Sequence, residues 1–336
     1  MNNDNNQTQH LFMDADRGVI VENDEHRRCR GCMKLYSVEF ELCPYCGYEL
    51  NSGNSYEDWI DSTVFLRNRY TIGNLIKSGG LMTTYIAWDN LNNSKVFVEE
   101  YAWKLGGNNK EKLLENIIKK RNKIKLFCDS GVVLRLLDWF NTDEKIYFVR
   151  EYKEFRNLVL WVENKKPSVT QSIEMAIKIC QTTAKLHDRG MVHGEICLKN
   201  ILIDENGEVY FMDDNLHYAD EDRAVITYSG LSSLECYEFS KTSDARRDIY
   251  SIGAILYWLL TGIKPDEATN RMIDDSVISP HKLDNRISKY ISDNVMKAMS
   301  LYPQKRFDSV CNFQNVLSVR EVIKRKFGRR IYIRYY

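Results

Sequence analysis

The chain has 336 residues, of which 43% are hydrophobic and 28% are charged, a composition typical of a globular protein with about two domains. Its 47 basic and 47 acidic residues cancel, so bulk charge favours neither nucleic acid nor a membrane surface as a partner. The longest apolar run, Ile249–Leu260, is shorter than the roughly 20 residues that span a bilayer. Residues 1–24 are rich in Asn and Asp and show no apolar signal segment, so we expect a disordered terminus and cytoplasmic localisation.

Four cysteines follow this segment in two closely spaced pairs. Cys29 and Cys32 form one C-x-x-C pair, and after ten residues Cys43 and Cys46 form a second. Two such pairs supply four thiolates, which is the ligand set of a tetrahedral structural zinc site. The 18 residues from Cys29 to Cys46, within a predicted unit of residues 25–50, are too few to bury a core. Metal binding must therefore stabilise their fold, by roughly 10–16 kcal/mol in small peptides of this kind. The alternatives are free thiols without a metal and a redox-active pair.

This cysteine segment resembles a zinc ribbon, a module that docks to proteins or to nucleic acid. Four basic residues surround the first pair, and these are Arg27, Arg28, Arg30 and Lys34. They leave nucleic acid open as a partner, although a solvated basic face is the simpler interpretation. A linker over residues 51–66 is predicted next, from its Asn, Ser and Gly content.

A second, larger domain is predicted over residues 67–325. Strand-like segments dominate Tyr70–Tyr101, and two more strands follow around Val132–Phe140 and Lys145–Tyr152. Between them, Lys110–Phe127 has the apolar spacing of a helix.

From Ser168, a predicted helix N-cap, the chain becomes mainly helical. The predicted helices are Ile173–Arg189, Asp248–Leu260, Ser288–Leu301 and Phe307–Lys324. Strands first and helices afterwards predict an α+β protein with a small β-rich lobe and a larger helical lobe. The tail, residues 326–336, interleaves basic and aromatic residues, which fits an acidic partner, a nucleic acid, a membrane surface or a packed strand.

One stretch of the predicted helical part, Val192–Asn215, is close in sequence to a known phosphotransfer loop. A protein-kinase catalytic loop reads H-R-D-L-x-x-x-N and is followed by D-F-G. His193 and Asn200 stand at the first and last positions of this loop, and Asp213 follows after a turn at Asn206-Gly207. The stretch therefore resembles the catalytic domain of bacterial serine/threonine protein kinases.

Further motifs extend this resemblance over about three quarters of the chain. The segment Asp248–Gly253 resembles the opening of the buried helix in the helical lobe of kinases, and the resemblance implies that Asp248 braces the catalytic loop by hydrogen bonds. Glu235 stands at the A-P-E position and Arg306 in the late D-P-x-x-R element, which implies a buried ion pair between them. The implied fold is a bilobal kinase-like α+β fold that follows a small zinc ribbon.

Several positions that carry catalysis in kinases differ here. Glu195 replaces the catalytic Asp, and Asp214 replaces the Phe that follows Asp213. In the glycine-rich loop only Gly79 remains, and Lys77 stands where the backbone approaches the phosphates. Kinases catalyse phosphate transfer by positioning the reactants and neutralising charge. The extra methylene of Glu195 moves its carboxylate by about 1 Å or more, which can lower the rate on the order of 100-fold.

The third strand of the resemblance carries a reversed charge. The V-A-I-K motif aligns with Val96–Glu99, so Glu99 replaces the lysine that binds phosphate. Repulsion in place of attraction at about 4 Å amounts to several kcal/mol at an effective dielectric near 20. The glutamate that normally pairs with this lysine aligns with Arg121, or with Lys120 if the register shifts by one residue.

Arg150 aligns with the gatekeeper position, just before the hinge residues Glu151 and Tyr152. A buried guanidinium requires an acidic partner, and Glu99 is the natural candidate. The sequence therefore predicts that Arg150, Glu99 and either Arg121 or Lys120 form a polar plug in the nucleotide pocket. The alternative is that these charges point to solvent.

These substitutions favour a pseudokinase that acts as a scaffold or allosteric regulator by binding protein partners, such as another kinase or a signalling complex. Zinc is then its structural metal, while use of ATP and magnesium is doubtful. An alternative is a divergent active kinase with Lys77 as phosphate anchor, Glu195 as base, and Asn200 and Asp213 on magnesium. A third interpretation makes the ribbon and the basic tail a nucleic-acid module.

Overall fold

The computed structural model describes residues 26–50, 69–79, 82–102, 131–141, 145–194, 196–211, 227–237 and 244–327. The chain divides into two compact units. The first comprises residues 1–102 with 141–147, and the second comprises residues 103–140 with 148–336. The predicted helix at Lys110–Phe127, with Lys120 and Arg121, lies outside the described residues.

The first unit begins with the cysteine ribbon. Strand β1 (His26–Arg28) pairs antiparallel with β2 (Leu35–Ser37), and a single bridge joins Leu42 to Glu49. Such short strands cannot stabilise themselves, because an isolated hairpin is at best marginal in water. The ribbon therefore depends on its cysteines and on what it packs against.

Three long strands follow in the same unit, β3 (Tyr70–Gly79), β4 (Met82–Asp89) and β5 (Ser94–Ala102). They form an antiparallel meander, and β3 has two register shifts along its pairing with β4. Asp89 closes the turn after β4, because its buried carboxylate accepts hydrogen bonds from the N–H groups of Leu91 at 3.0 Å and Asn92 at 3.3 Å. The same carboxylate accepts two hydrogen bonds from the Arg69 guanidinium, at 3.0 and 2.9 Å. The strands predicted for this region are confirmed.

Strands β6 (Leu136–Asn141) and β7 (Lys145–Glu151) complete a five-stranded sheet in the order β3-β4-β5-β7-β6. The prediction that the strand begins at Val132 was wrong, since β6 starts four residues later. Val132 and Val133 instead belong to the hydrophobic core of the second unit, where the Val132 carbonyl accepts a hydrogen bond from the Phe211 N–H at 2.8 Å. Apolar residues packed in a core and in a strand look alike in sequence.

The second unit is mainly helical. Within the described residues, its helices are α1 (Leu158–Lys165), α2 (Val169–His187), α3 (Arg246–Thr261), α4 (Ala268–Ile273), α5 (Pro280–Leu283), α6 (Lys289–Ala298) and α7 (Val310–Phe327). A small sheet in the order β10-β9-β8 is formed by β8 (Phe155–Asn157), β9 (Ile201–Asp204) and β10 (Val209–Phe211). The predicted α+β class, with a β-rich part and a helical part, is confirmed.

The four predicted helices of this unit are all present, as α2, α3, α6 and α7. Ser168 caps α2 as predicted, and its hydroxyl and the Gln171 side chain form a reciprocal capping box. The sequence did not predict α1, α4 and α5, because helices of four to eight residues contain too few turns to show a period. None of the helices in the described part of the chain is long and apolar enough to cross a membrane.

Helix α3 lies at the centre of the helical unit and is buried along most of its length. It packs against α2, α6 and α7. Gly253 permits the close approach to α6, because a Cβ at this position would lie 2.8 Å from the Ala298 Cβ. Every residue of Asp248–Tyr257 is buried, so the helix is covered on all sides by the elements that pack around it.

One arginine joins three segments of this unit. Every N–H donor of the buried Arg306 guanidinium finds an acceptor. Two go to the Glu235 carboxylate, both at 2.7 Å, and three go to the carbonyls of Arg246, Ser300 and Leu301. A buried charge with all its donors satisfied fixes the relative position of the segments that it joins.

We expect Glu235→Ala to lower the free energy of unfolding by about 3–5 kcal/mol, because it leaves the Arg306 charge buried without its carboxylate. Chemical denaturation followed by circular dichroism measures this change. Asp293→Ala is the matched control, since Asp293 forms an exposed ion pair with Lys289 at 2.7 Å, and it should cost about 0.5 kcal/mol or less. Equal effects of the two substitutions would contradict the structural role of Glu235.

Candidate functional site

The four paired cysteines converge in the ribbon. The sulfurs of Cys29, Cys32, Cys43 and Cys46 all lie within 4.8 Å of one another. The Cys29–Cys46 sulfur distance is 3.6 Å and the Cys32–Cys43 distance is 3.7 Å. A tetrahedral zinc ion with Zn–S bonds of about 2.3 Å requires sulfurs about 3.8 Å apart. The cluster could therefore hold one metal ion, and its donor set and dimensions fit zinc.

Each C-x-x-C pair closes a turn whose backbone N–H groups point toward the sulfurs. The Gly47 N–H donates to the Cys43 carbonyl at 2.8 Å and closes the second turn. Burial raises the pKa of the Cys29 and Cys32 thiols. At Cys43 burial acts in the same direction, but the N–H groups of Tyr45 and Cys46 and the Cys29 thiol outweigh it and lower the pKa to about 7. A lowered pKa favours the thiolate, which is the form that binds a metal ion.

In the second unit, Asp248 at the start of α3 holds the loop that contains His193. Its carboxylate accepts hydrogen bonds from the backbone N–H groups of His193 at 2.9 Å and Gly194 at 2.7 Å. The His187 Nε2 lies 2.8 Å from the same carboxylate. Burial by itself raises the pKa of Asp248, but its hydrogen bond and charge interaction with His187, together with His193 and Gly194, lower it overall. The structure thus brings Asp248 to the loop backbone.

The His193 ring is fully buried and packs edge-on against Phe211, with 4.7 Å between ring centroids. Asn200 is also buried, and its N–H donates to the Cys197 carbonyl at 3.1 Å. Gly207 has a φ of 75° in the turn between β9 and β10, a conformation that glycine adopts without strain. The retained kinase residues of this loop therefore sit in an ordered frame.

Three further predicted site residues cannot be placed beside this frame. Glu195, Asp213 and Asp214 lie outside the described residues. Their roles as base, magnesium ligand and altered D-F-G residue stay predictions.

In the first unit, Lys77, Thr84 and Glu99 form a row across β3, β4 and β5. Lys77 pairs with Thr84, and Thr84 pairs with Glu99. Directly opposed residues in antiparallel strands point to the same face of a sheet. Because neighbouring strands lie about 4.8 Å apart, Lys77 and Glu99 share a face about 10 Å apart at the backbone. This row was not predicted from the sequence, because strand register rather than local spacing brings Lys77 and Glu99 to one face.

Glu99 itself is only 6% exposed, so its charge does not point to solvent. The next residue, Glu100, is buried as well, and its carboxylate lies 3.2 Å from the Lys145 ammonium group. Successive strand residues point to opposite faces, so each face of β5 receives one acidic side chain at this point. Gly79 ends β3, where it pairs with Met82.

In the second unit, Arg150 is the largest fully buried side chain and is 1% exposed. Its Nη1 donates to the Leu134 carbonyl at 3.1 Å. Glu151 follows and makes two hydrogen bonds with the backbone of Arg135, at 3.1 and 2.9 Å, and Tyr152 is half-buried. The alternative that the Arg150 charge points to solvent was therefore wrong. The plug remains a prediction, since its third member, Arg121 or Lys120, lies outside the described residues.

Comparison with known proteins agrees with this geometry. A family model described as protein tyrosine and serine/threonine kinase matches residues 84–319, which is well over half of the chain. The chain therefore belongs to the protein kinase family, and the resemblance stated from its motifs is confirmed.

Bacterial serine/threonine kinases are among its relatives. The chain is 26% identical over 261 residues to a protein of Clostridium perfringens named "Probable serine/threonine-protein kinase", covering 73% of this chain and 37% of that protein. It is 28% identical over 278 residues to a protein of the same description from Corynebacterium efficiens, covering 74% and 40%. It is 26% identical over 181 residues to the kinase PknB of Mycobacterium leprae, covering 50% and 29%. The chain thus spans about two fifths or less of the length of these relatives.

We expect Asp248→Asn to lower the free energy of unfolding at pH 7 by about 1.5–3 kcal/mol, because it removes a charged acceptor from the loop. The folded-state pKa of Asp248 lies below its unfolded value of about 3.9, so this contribution is complete above about pH 4. It is lost as the pH falls through the folded-state pKa. Urea titrations of both proteins between pH 3 and 7 measure the difference, and a difference that grows toward low pH would contradict this assignment.

Proposed function

We propose that this protein is a pseudokinase, a kinase fold that transfers phosphate inefficiently or not at all and acts by binding other proteins. The observation that carries the proposal is the buried carboxylate of Glu99, which the V-A-I-K motif aligns with the phosphate-binding lysine of kinases. Its function is then that of a scaffold or allosteric regulator in a signalling pathway.

The physical argument concerns the sign of the charge. A triphosphate needs a cation at this position, and a carboxylate within about 4 Å repels it by several kcal/mol at an effective dielectric near 20. Water screens little of this repulsion, since Glu99 is almost fully buried. Each 1.4 kcal/mol reduces affinity or rate tenfold, so ordinary ATP use is hard to recover.

Arg150 supports the same conclusion from the second unit. A fully buried guanidinium at the position before the hinge adds bulk and charge where the family accepts the adenine base. Asp248, Glu235 and Arg306 meanwhile keep the contacts that hold the helical unit together. A chain that keeps the contacts of the fold while changing those of the reaction fits a binding role.

The ribbon supports a protein partner. It exposes four large apolar side chains, and these are Val38, Phe40, Leu42 and Tyr45. A group of exposed apolar residues of this kind is typical of protein-interaction sites. We propose that the resident metal of the ribbon is zinc, in agreement with its four thiolate donors.

A second candidate function is a divergent active kinase. The row of Lys77, Thr84 and Glu99 favours it, because a lysine on the same face as Glu99 offers a replacement phosphate anchor. The names of the relatives, which are serine/threonine kinases, favour it as well.

We expect the wild-type chain to show no rise in melting temperature with millimolar ATP and magnesium, because Glu99 repels the phosphates. A binding protein at 100 times its Kd is stabilised by about 2.7 kcal/mol, which differential scanning fluorimetry detects readily. A clear rise that Lys77→Ala abolishes, and that the control Lys95→Ala on β5 retains, would instead support the active kinase. Transfer of labelled phosphate that is lost in Asp213→Ala would decide the matter against the pseudokinase.

We expect the purified chain to contain about one zinc ion, because the four sulfurs fit a single tetrahedral site. Cys43→Ser should lose the ion to a competing chelator, as measured by elemental analysis. Cys311→Ser is the matched control, since Cys311 is an exposed cysteine on α7, and it should keep its zinc. Equal zinc content in the two variants would argue against the four-cysteine site.

A further inference from the structure

The two turns of the ribbon are alike in backbone but differ at one residue. The residue after the second cysteine has a positive φ in each, 61° at Met33 and 72° at Gly47. In each turn its N–H donates to the carbonyl of the first cysteine, at 2.7 Å from Met33 and 2.8 Å from Gly47. Glycine adopts this conformation readily, whereas a methionine is strained in it. The Met33 side chain must therefore make contacts that offset the strain.

Those contacts lie on the kinase-fold sheet of the same unit. Met33 is 1% exposed, and it covers Gly73 of strand β3. A Cβ placed on Gly73 would lie 1.8 Å from the Met33 Cε, 2.5 Å from the Arg30 carbonyl oxygen and 2.9 Å from the Ile86 Cγ2. Strand β3 thus needs glycine at this point so that the first turn of the ribbon can dock.

Polar contacts surround the apolar contact between Met33 and Gly73. The Asn74 N–H donates to the Arg30 carbonyl at 2.8 Å, so the ribbon backbone is hydrogen-bonded to β3. The Arg28 guanidinium lies 3.7 Å from the Trp88 ring centroid on β4, and its Nη1 donates to the Met33 carbonyl at 3.1 Å. Guanidinium stacking on Trp is a favourable cation–π contact.

The docking point coincides with an irregularity of β3. The strand shifts register between Ile72 and Leu75, and Gly73 and Asn74 lie within that interval. A bulge leaves backbone groups outside the ladder, and the Arg30 carbonyl takes one of them, the Asn74 N–H. Three residues further along the same strand is Lys77, in the row with Thr84 and Glu99.

We propose that the four-cysteine metal site is an effector site for this sheet. Metal binding fixes the first turn of the ribbon, the turn holds the β3 bulge through Met33 and Arg30, and the bulge sets the position of Lys77. Coupling of this kind is reciprocal, so the intact sheet raises the affinity of the cysteines for the metal. The inference rests on the metal binding put forward under Proposed function, and it is independent of whether the chain transfers phosphate.

Hydrogen exchange of the Asn74 amide tests the coupling in the full chain, with zinc bound and after its removal by a chelator. We expect exchange at Asn74 to become at least about tenfold faster without zinc, because its acceptor is then released. The Ile252 amide in α3 serves as the internal reference and should not change. If exchange at Asn74 changes by less than about twofold while the zinc content falls from one to zero, the coupling is overturned but the metal site is not. A chain that takes up no zinc overturns the metal site together with it.

Met33→Gly separates the docking from the metal ligands. The substitution relieves the strained φ but removes the side chain that covers Gly73. The Asn74 amide of the zinc-loaded variant should therefore exchange as fast as that of the zinc-free wild type. Its zinc affinity, measured by chelator competition, should fall by about tenfold, whereas relief of backbone strain alone would raise the affinity. Glu39→Ala, at an exposed position of the ribbon, is the control and should change neither value. A Met33→Gly variant with unchanged exchange and equal or tighter zinc binding overturns the proposal.

Discussion

The buried carboxylate of Asp248 is the interaction on which the kinase-like frame depends. It joins helix α3, which organises the helical unit, to the backbone of the loop at His193 and Gly194. A buried charge is tolerated only where hydrogen bonds compensate for its lost solvation, and here the loop supplies them. The loop therefore keeps its place whatever residues it presents for chemistry. This explains how the family fold persists while Glu195 stands in place of the catalytic Asp.

The first unit shows the opposite situation, in which a buried charge changes what the fold can do. Glu99 is buried at the position that aligns with the phosphate-binding lysine of kinases, and Lys77 shares its face of the sheet across Thr84. In this row Glu99 favours a pseudokinase, whereas Lys77 favours a divergent active kinase. The ribbon adds a second influence on this row, because it docks on β3 only a few residues from Lys77.

Much of the architecture could be read from local signals. Ser168 and Gln171 mark the start of α2, and the spacing of the four cysteines indicates their common site. The A-P-E and D-P-x-x-R likenesses pointed to Glu235 and Arg306, which the structure places in contact. What was missed has physical reasons: short helices show no period, and the valine pair at Val132 reads as strand although it packs in the core.

The sequence by itself determined the protein family, the two C-x-x-C pairs and the succession of a strand-rich part and a helical part, because each of these is written in residues close together along the chain. Only the tertiary structure decided that Lys77 and Glu99 share one face, and that Met33 covers Gly73. Both depend on strand register and on close packing between distant segments, which are fixed by the fit of surfaces in space. A methionine after a C-x-x-C pair and a glycine in a strand carry no local sign that they meet.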